Sequence, residues 1–388
     1  MPNSFQPRAH TLPLKGCRIV DFTTLLPGPF ATRILSEAGA DVIKIEKPVG
    51  GDELRAGSPR WGDTSLSFAL MNTGKRSIAV DLKSEEAKDD LLDLIRDADI
   101  LVEQFRPGVM DRLGLGYEEI KKINPQIVYC SITGYGQDGP AAQVAGHDLT
   151  YMAETGLLSL AGDAAGAPTL PPVLVADIGA GTLPAIINIL LALRYRDTHG
   201  EGSKLDISIT DNLFCFPYWA VSRGVGYQQW PKSGAERLTG GSPRYQIYKA
   251  KDGRYIAAAP LEQRFWNVFC EVIGLDDEHR DDAVDPERTR AAVARIIETH
   301  DSAHWRKAFA GKDVCAVVVN TMQEAAEHEH FRARRLFDNK LHQDGQVAPD
   351  VVLPLAPFFR TAVEEKQWPS LGEGNDLLDR SGSVSTNS

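Results

Sequence analysis

The chain has 388 residues, with 42 basic and 53 acidic side chains, so its formal net charge is −11 at pH 7. This length is enough for two domains, and the acidic balance disfavours a nucleic acid or an anionic membrane as the main partner. The polar N-terminus lacks the apolar core of a secretory signal, and no apolar run reaches the roughly 18–20 residues that span a bilayer. Five scattered cysteines without C-x-x-C spacing are typical of reduced thiols, so we expect a cytoplasmic protein.

Strand and helix patterns alternate along the N-terminal half. Short apolar runs predict strands at Arg18–Phe22, Asp41–Glu46, Ser77–Leu82, Ile100–Phe105 and Ile127–Thr133. The segments between them predict helices at Pro29–Ala38, Glu85–Ala98 and Tyr117–Ile123. This alternation predicts a doubly wound α/β domain with a Rossmann-like parallel sheet, which binds ligands outside the carboxyl ends of its strands. The segment after the first strand, TTLLPGPFATR, has no G-x-G-x-x-G fingerprint, and no Walker P-loop occurs, so nucleotide cofactors are disfavoured.

The second half of the chain predicts a smaller, inserted α+β domain. A long apolar helix at Thr182–Arg196 precedes a strand-then-helix segment at 205–216 and an irregular, aromatic-rich stretch at 217–243. A hairpin, three helices, a strand and a last helix follow at Tyr245–Ala259, Gln263–Ile273, Glu287–His300, Ala303–Ala310, Cys315–Asn320 and Met322–Arg335. We therefore expect a discontinuous large domain at 1–205 and 313–388, a linker at 206–230 and a small domain at 231–312. The Ser-rich C-terminal tail is expected to be disordered.

Two titratable residues stand side by side in AGHDLTYMAETG, at 145–156. A helix cap explains Asp148, because its carboxylate is able to accept hydrogen bonds from the first amides of a helix. It leaves His147 unexplained. Asp177 follows thirty residues after His147, in PPVLVADIGAG, and a cap is again the simpler interpretation. Spacing alone leaves open whether these helix starts face one cleft.

Several longer stretches, taken together, resemble the family III CoA-transferase superfamily and, within it, the α-methylacyl-CoA racemases. They include LPGPFATRILSEAGADVIKIEKP, VEQFRPGVMDRLGLGYEEI, SITGYGQDGP, GHDLTYMAETGLLSLAG and PPVLVADIGAG, and the resemblance extends from about residue 14 to residue 335. It implies an interlocked homodimer and an acyl-CoA substrate. It implies no separate cofactor, because CoA is part of the substrate, and no metal site is predicted.

The resemblance also implies roles for individual residues. Racemases of this type carry G-H-D and a second acid, which match His147, Asp148 and Asp177, and a supporting glutamate in an L-E-x-x-F motif, which LEQRFW matches at Glu262. That glutamate acts in its own chain or in the partner's. The implied reaction is epimerisation of 2-methylacyl-CoA thioesters by 1,1-proton transfer through an enolate. The alternative is CoA transfer between carboxylic acids through an adduct on Asp148. Departures from the racemase pattern at Val173-Leu174 and Glu154-Thr155 leave the acyl chain open.

Inversion at an α-carbon needs one group to remove a proton from one face and a second group to deliver a proton to the other. His147 and Asp177 suit this chemistry if the pKa of Asp177 is raised above its usual value, and we expect burial against Val173–Ala176 to raise it. The amide of Asp148, at a helix start, is the expected donor to the enolate oxygen.

The phosphates of CoA require positive charge that is gathered locally on this acidic chain. The residues expected to contact CoA are Arg33, Lys75, Arg76, Gln104, Phe105, Arg106 and Arg112. Arg106 follows the strand ILVEQF at the carboxyl edge of the sheet, and its planar guanidinium matches phosphate oxygens. For each of the other basic residues, an ordinary surface charge is the alternative.

Overall fold

The computed structural model describes residues 11–62, 64–162, 166–343, 345–360 and 365–378. The chain forms two compact units. The first unit is built from the ranges 1–152, 173–214 and 335–388, and the second from 153–172 and 215–334. The expected disordered tail lies outside the described residues.

The first unit is organised around a six-stranded parallel sheet. Its strands, in chain order, are β1 (Arg18–Asp21), β2 (Asp41–Glu46), β3 (Arg76–Ala79), β4 (Ile100–Glu103), β5 (Val128–Thr133) and β6 (Ser203–Ser208). Their spatial order is β3-β2-β1-β4-β5-β6, and every neighbouring pair is parallel. The predicted doubly wound α/β class is therefore confirmed. The strand order reverses between β1 and β4, and such a switch point opens a crevice at the carboxyl ends of the strands.

Helices connect these strands and cover the sheet. The α-helices of the first unit span Pro27–Glu37, Leu66–Asn72, Glu85–Arg96, Val109–Arg112, Tyr117–Ile123, Asp148–Glu154, Leu183–His199 and Ile209–Leu213. Short strands form a hairpin at Arg60–Trp61 and Thr64–Ser65, and a small sheet at Lys340–Gln343, Gln346–Pro349 and Glu365–Lys366. Short 3₁₀ turns lie at Glu53–Ala56, Pro357–Phe359 and Asn375–Leu377.

The main core of the first unit joins the sheet to the helix Glu85–Arg96. Ser84 caps this helix through a hydrogen bond from the backbone N–H of Ala87. Its apolar face places Leu91 and Ile95 against the sheet, and both side chains are fully buried. Burying a side chain of this size contributes about 1.5–3 kcal/mol. This packing holds the β3–β4 crossover against the sheet.

A π-helical segment, Val175–Thr182, leads directly into the α-helix Leu183–His199. The helix ends at Gly200, which adopts a left-handed conformation with φ +73°. By length and composition alone, the helical stretch Val175–His199 is long and apolar enough to cross a membrane. No such segment was expected, because no uninterrupted apolar run reaches the roughly 18–20 residues that span a bilayer. A core helix of a soluble protein meets the same criterion.

The second unit contains an antiparallel sheet surrounded by helices. Its strands are β7 (Gln246–Lys249), β8 (Tyr255–Ala258) and β9 (Ala316–Val318), in the order β9-β8-β7. Its α-helices span Tyr218–Tyr227, Gln263–Ile273, Pro286–Ile297, Ser302–Phe309, Met322–Glu327 and Glu329–Ala333, with 3₁₀ turns at Leu157–Leu160 and Asp277–His279. Trp266 and Trp305 are central to its core.

The boundaries of the second unit differ from the expected ones. Strand β9 pairs antiparallel with β8, so residues 313–334 belong to this unit and do not return to the large parallel sheet. A three-residue apolar strand carries no sequence signal for its partner strand. The stretch 217–243 is not wholly irregular, because it contains the helix Tyr218–Tyr227. The last predicted helix is interrupted at His328, which has extended backbone angles.

Candidate active site

A cleft of about 420 Å³ lies in the first unit, at the carboxyl edge of the parallel sheet. Segments that follow four of its strands form the walls: Leu25–Pro27 after β1, Gln104–Pro107 after β4, Thr133 and Gly134 at the end of β5, and Ile209 after β6. His147, Thr150, Tyr151 and Asp177 complete the lining. The cleft therefore occupies the switch point that the strand order defines.

Thr150 holds the main chain of His147 at the start of the helix Asp148–Glu154. The N–H of His147 donates to Oγ1 of Thr150 (2.9 Å), and this hydroxyl donates to the carbonyl of His147 (2.8 Å). The side chain of His147 itself is exposed at the mouth of the cleft. The Thr150 hydroxyl thus fixes both the N–H and the carbonyl group of His147, while the imidazole stays exposed at the cleft.

Two glycines let the ring of Tyr151 pack beneath this segment. A Cβ atom on Gly146 would lie 2.3 Å from the ring, and one on Gly134 would lie 2.5 Å from it. The Tyr151 hydroxyl donates to the carbonyl of Gly146 (2.7 Å). Burial, assisted by the charge of Asp177, raises the pKa of Tyr151 to about 12, so its phenol stays neutral at physiological pH. The glycines of SITG and AGHD thus serve close packing at the site.

Asp177 and Asp148 are joined directly. Asp177 lies in the first turn of the π-helical segment, and its backbone N–H donates to Oδ1 of Asp148 (2.9 Å). π-Helical turns occur frequently at functional sites. Asp148 is the first residue of its helix and is buried, with its carboxylate directed to this distant amide. The hydrogen bond of Oδ1 thus joins Asp148 to a distant segment, and its capping of its own helix stays a prediction.

The electrostatic environment of Asp177 favours the protonated acid. Burial raises its pKa to about 6, the negative charge of Asp148 acts in the same direction, and His147 opposes them. Burial was the expected cause, although the side chains of Val173 and Leu174 are themselves 57% and 47% exposed. Of that apolar segment only Ala176 is buried completely. The raised pKa lets Asp177 hold a proton more readily than an ordinary carboxyl group, as a group that acts as an acid in one direction requires.

The backbone amide of Asp148 lies in the first turn of its helix. The first amides of a helix have no carbonyl partner within it. The N–H groups at this end also lie at the positive end of the helix dipole. The role of this amide as a donor to an enolate oxygen stays a prediction.

Three of the residues expected to contact CoA line the cleft: Gln104, Phe105 and Arg106. Arg106 is exposed, and within the described part of the chain it has no ion-pair partner. The side chain of Gln104 accepts a hydrogen bond from the N–H of Gly28 (2.9 Å), which joins two walls of the cleft. Arg112 is exposed on the helix Val109–Arg112 but is not part of the cleft lining. Its contact with CoA stays a prediction.

The structure corrects the prediction for Arg33. Its side chain is 1% exposed and forms ion pairs with Glu37 (3.0 Å) and Asp350 (2.8 Å). Lys366 also binds Glu37 (2.6 Å), so this cluster is neutralised internally. A guanidinium in this position is not accessible to a phosphate.

Lys75 and Arg76 are also engaged elsewhere. Lys75 is buried, and its ammonium donates to Asp21 (3.1 Å), Asn72 (2.9 Å) and the carbonyl of Pro29 (2.9 Å). Arg76 binds Asp41 through Nε and Nη2. Both residues of that second pair begin strands, so they lie at the amino edge of the sheet, opposite the cleft.

Glu262 belongs to the second unit. It directly precedes the helix Gln263–Ile273 and is exposed, and its side chain makes no hydrogen bond that caps this helix. Its proposed support of His147 stays a prediction.

Sequence reasoning missed several residues that shape the cleft. Buried Lys44 donates to the carbonyl of Thr23 (2.7 Å) and pairs with Asp52 (2.9 Å), which accepts from the N–H of Leu25 (3.3 Å). Leu25 has a positive φ of 62°, a conformation that is uncommon for a residue other than glycine. A buried ion pair therefore fixes the loop that forms one wall. The alternation of DVIKIE gave no sign that Lys44 is buried.

Glu103 was also missed. It is buried at the end of β4, and its Oε2 accepts from the N–H of Phe105 (2.8 Å). Burial raises the pKa of Glu103 to about 7, although hydrogen bonds from Ser131 and from Phe105 oppose this effect. Glu103 thus holds the turn that carries Gln104 and Arg106 into the cleft. Its position directly before QFRPG was the available signal.

A doubly wound sheet with an imidazole, a carboxylic acid and an arginine in the cleft at its switch point defines the class: an α/β fold with acid–base groups at the carboxyl edge of its sheet. Comparison with known families gives the particular group. The sequence model of "CoA-transferase family III" matches residues 14–375, and the chain belongs to this family. The resemblance inferred from the sequence is therefore confirmed.

Relatives with two different reactions are similar to this chain. The alpha-methylacyl-CoA racemase of Mus musculus is 33% identical over 364 residues, which cover 93% of this chain and 91% of the racemase. The acetyl-CoA:oxalate CoA-transferase of Acetobacter aceti is 33% identical over 333 residues, which cover 84% of this chain and 85% of the transferase. The crystal structure of a CAIB/BAIF family protein from Brucella suis has a TM-score of 0.81 and 27% identity, covering 95% of this chain and 99% of its own. The family is shared, and its reactions differ.

Proposed function

We propose that this protein is a racemase of 2-methylacyl-CoA thioesters that works by 1,1-proton transfer. The observation that supports this reaction most directly is that His147 and Asp177 line one cleft, with the pKa of Asp177 raised to about 6. An imidazole and a carboxylic acid with a raised pKa suit a reaction in which each group acts as the base in one direction and as the acid in the other.

The reaction consists of two proton transfers at one carbon atom. In one direction, neutral His147 removes the α-proton, and the electron pair of the C–H bond moves onto the thioester oxygen as an enolate. Protonated Asp177 then delivers its proton to the opposite face of the same carbon. In the other direction, the carboxylate of Asp177 removes the proton and imidazolium delivers one. Each positioned acid–base group typically contributes about 10²–10⁴-fold to the rate.

The position of Asp148 favours this reaction over CoA transfer. A transferase needs a carboxylate oxygen of Asp148 to attack the thioester carbon. Here that side chain is buried, and its Oδ1 accepts the hydrogen bond from the Asp177 amide. In the racemase proposal its contribution is different: it positions Asp177 and raises the pKa of that acid, while its own N–H donates to the enolate oxygen.

The remaining parts of the proposal concern substrate and assembly. Arg106, exposed on the cleft wall, binds a phosphate of the CoA portion, and the reaction requires no separate cofactor. The protein acts as an interlocked homodimer in which Glu262 of the same chain or of the partner supports the histidine. Transferase relatives make CoA transfer through Asp148 the second candidate.

Incubation with one epimer of a 2-methylacyl-CoA in D₂O tests the proposal. We expect the α-carbon to gain deuterium while the substrate epimerises, and we expect His147→Gln and Asp177→Asn each to reduce the rate by about 10²-fold or more. The matched controls are His304→Gln and Asp93→Asn, which change the same residue types at exposed positions. If the substrate gains no deuterium while hydroxylamine captures an acyl group bound to Asp148, the transferase reaction replaces this proposal.

A further inference from the structure

We propose that the hydroxyl of Thr133 hydrogen bonds to an amide group in the pantetheine arm of the substrate. This inference rests on the proposed function, which supplies an acyl-CoA ligand. Thr133 is the last residue of β5 and lines the cleft together with His147 and Asp177.

The hydroxyl of Thr133 is buried without a partner. The residue is 8% exposed, and its Oγ1 makes no hydrogen bond to the described part of the chain. Leaving a buried polar atom unpaired is unfavourable, and most such atoms in proteins are paired. Most other buried threonines of this unit follow that rule: Thr32 donates to Asp21, Thr73 to the carbonyl of Ala69, and Thr182 to that of Pro27. Thr64 is an exception. The orphaned hydroxyl is therefore available to a ligand.

The surroundings of Thr133 select a neutral ligand group. Its neighbours in the lining are Ile132 and Gly134, and Ile209 also contributes to this part of the wall. These residues supply no charge for a phosphate, which is assigned to Arg106. A hydrocarbon acyl chain has no hydrogen-bonding atom, and the thioester oxygen is assigned to the Asp148 amide. The groups that remain near the thioester are the two amides of the arm, and a hydroxyl is able to donate to their carbonyls or accept from their N–H groups.

The test uses Thr133→Val, which keeps the side-chain shape and removes the hydroxyl, with Thr133→Ser as the variant that keeps the hydroxyl. Losing one neutral hydrogen bond of about 1 kcal/mol corresponds to roughly a fivefold effect. We expect Thr133→Val to reduce kcat/KM about fivefold for a 2-methylacyl thioester of N-acetyl-β-alanylcysteamine, which has both amides and neither phosphate nor the pantoyl hydroxyl. We expect no reduction for the corresponding S-ethyl thioester, and near-normal values for Thr133→Ser with both substrates.

Thr64→Val is the matched control for the truncated substrates. Thr64 is also buried with an unpaired Oγ1, but it lines a separate cavity beside Trp61 and Trp368. It is expected to leave both kcat/KM values unchanged. An equal loss for Thr133→Val with the S-ethyl thioester, or no loss with either substrate, overturns the assignment.

A binding measurement separates this inference from the proposed reaction. Calorimetry with S-propyl-CoA, a thioether that does not react, measures the contact without turnover. We expect Thr133→Val to raise its Kd about fivefold. If the wild-type protein catalyses no α-proton exchange and Thr133→Val still weakens this binding, the amide contact stands while the racemase proposal falls. An unchanged Kd overturns the amide contact alone.

Discussion

The backbone N–H of Asp177 donates a hydrogen bond of 2.9 Å to the carboxylate of Asp148, 29 residues earlier in the chain. The bond joins the start of the helix Asp148–Glu154 to the π-helical segment Val175–Thr182. It also keeps a negative charge beside Asp177, which contributes to the raised pKa of that acid. Asp148 thus positions Asp177 and contributes to its raised pKa, although the two residues are far apart in the sequence.

The first prediction concerns the charge of Asp148. Asp148→Asn retains an oxygen acceptor for the Asp177 amide but removes the charge, so we expect the pKa of Asp177 to fall from about 6 toward its usual value of 3.8. In the direction where Asp177 is the base, the loss of rate at acidic pH should move to lower pH. In the direction where it is the acid, the loss of rate on raising the pH should also begin at lower pH. The kcat of each epimer, measured as a function of pH, checks both shifts.

Asp93→Asn is the control for this experiment. Asp93 forms an exposed ion pair with Arg96 within the helix Glu85–Arg96, which is not the helix that carries Asp148. It should leave both profiles unchanged. If Asp148→Asn abolishes turnover at every pH, Asp148 takes part in the chemistry itself, and the positioning role assigned to it is wrong.

The second prediction concerns Arg106. A hydrogen bond to a charged group contributes about 1.5–3 kcal/mol, which corresponds to roughly 10–100-fold. We expect Arg106→Met to raise KM for an acyl-CoA by this factor with little change in kcat, and to have no effect on a thioester whose arm lacks phosphates. Arg76→Met is the control, because Arg76 binds Asp41 at the opposite edge of the sheet. Steady-state kinetics with both substrates would contradict the assignment if the two variants behaved alike.

The third prediction concerns the buried pair Lys75–Asp21. Burial opposes the charge of Asp21, but Lys75 and Lys44 overcome it and lower the pKa of Asp21 to about 2. Removing one member of such a pair leaves the other charge buried, which costs about 3–5 kcal/mol. We expect Lys75→Met to lower the free energy of unfolding by this amount, and we expect the double variant with Asp21→Asn to lose less than the sum of the single variants.

Urea unfolding of the single and double variants measures this coupling. Arg76→Met supplies the comparison, because the Arg76–Asp41 pair is 38% exposed on both sides and such pairs contribute about 0–1 kcal/mol. Additive effects of Lys75→Met and Asp21→Asn would show that the two buried charges do not depend on each other.

The sequence allows prediction of the parallel sheet because apolar runs such as DVIKIE and ILVEQF alternate with helical segments. The carboxyl edge of that sheet then places QFRPG and GHD at the site. The sequence does not show which charges are buried. The sequence predicts that Arg33 contacts a phosphate of CoA. In the structure its guanidinium is buried and pairs with Asp350, which lies 317 residues away in the chain. An ion pair between residues so far apart in the chain cannot be recognised from the sequence around either residue.

The same limit applies to the second acid and to the small unit. The identity of Asp177 follows from the family resemblance, but its raised pKa depends on burial and on the charge of Asp148, which lies far away in the chain. Ala316–Val318 was correctly predicted to be a strand, but its partner was not, because an apolar triplet fits either sheet. Local propensity defines elements, whereas contacts between distant segments define the site.

The last prediction concerns the helix Leu183–His199, which exposes apolar side chains at every fourth position: Ile187 is 56% exposed, Leu191 63% and Tyr195 44%. Side chains with this spacing lie on one face of a helix. Because the family resemblance implies a homodimer, we expect a second copy to cover this face, so that light scattering in detergent-free buffer gives twice 42.5 kDa. Leu191→Glu should favour the monomer, whereas Lys204→Glu, at a polar exposed position, should not. A wild-type monomer, or a protein that requires detergent to stay in solution, would contradict this assignment.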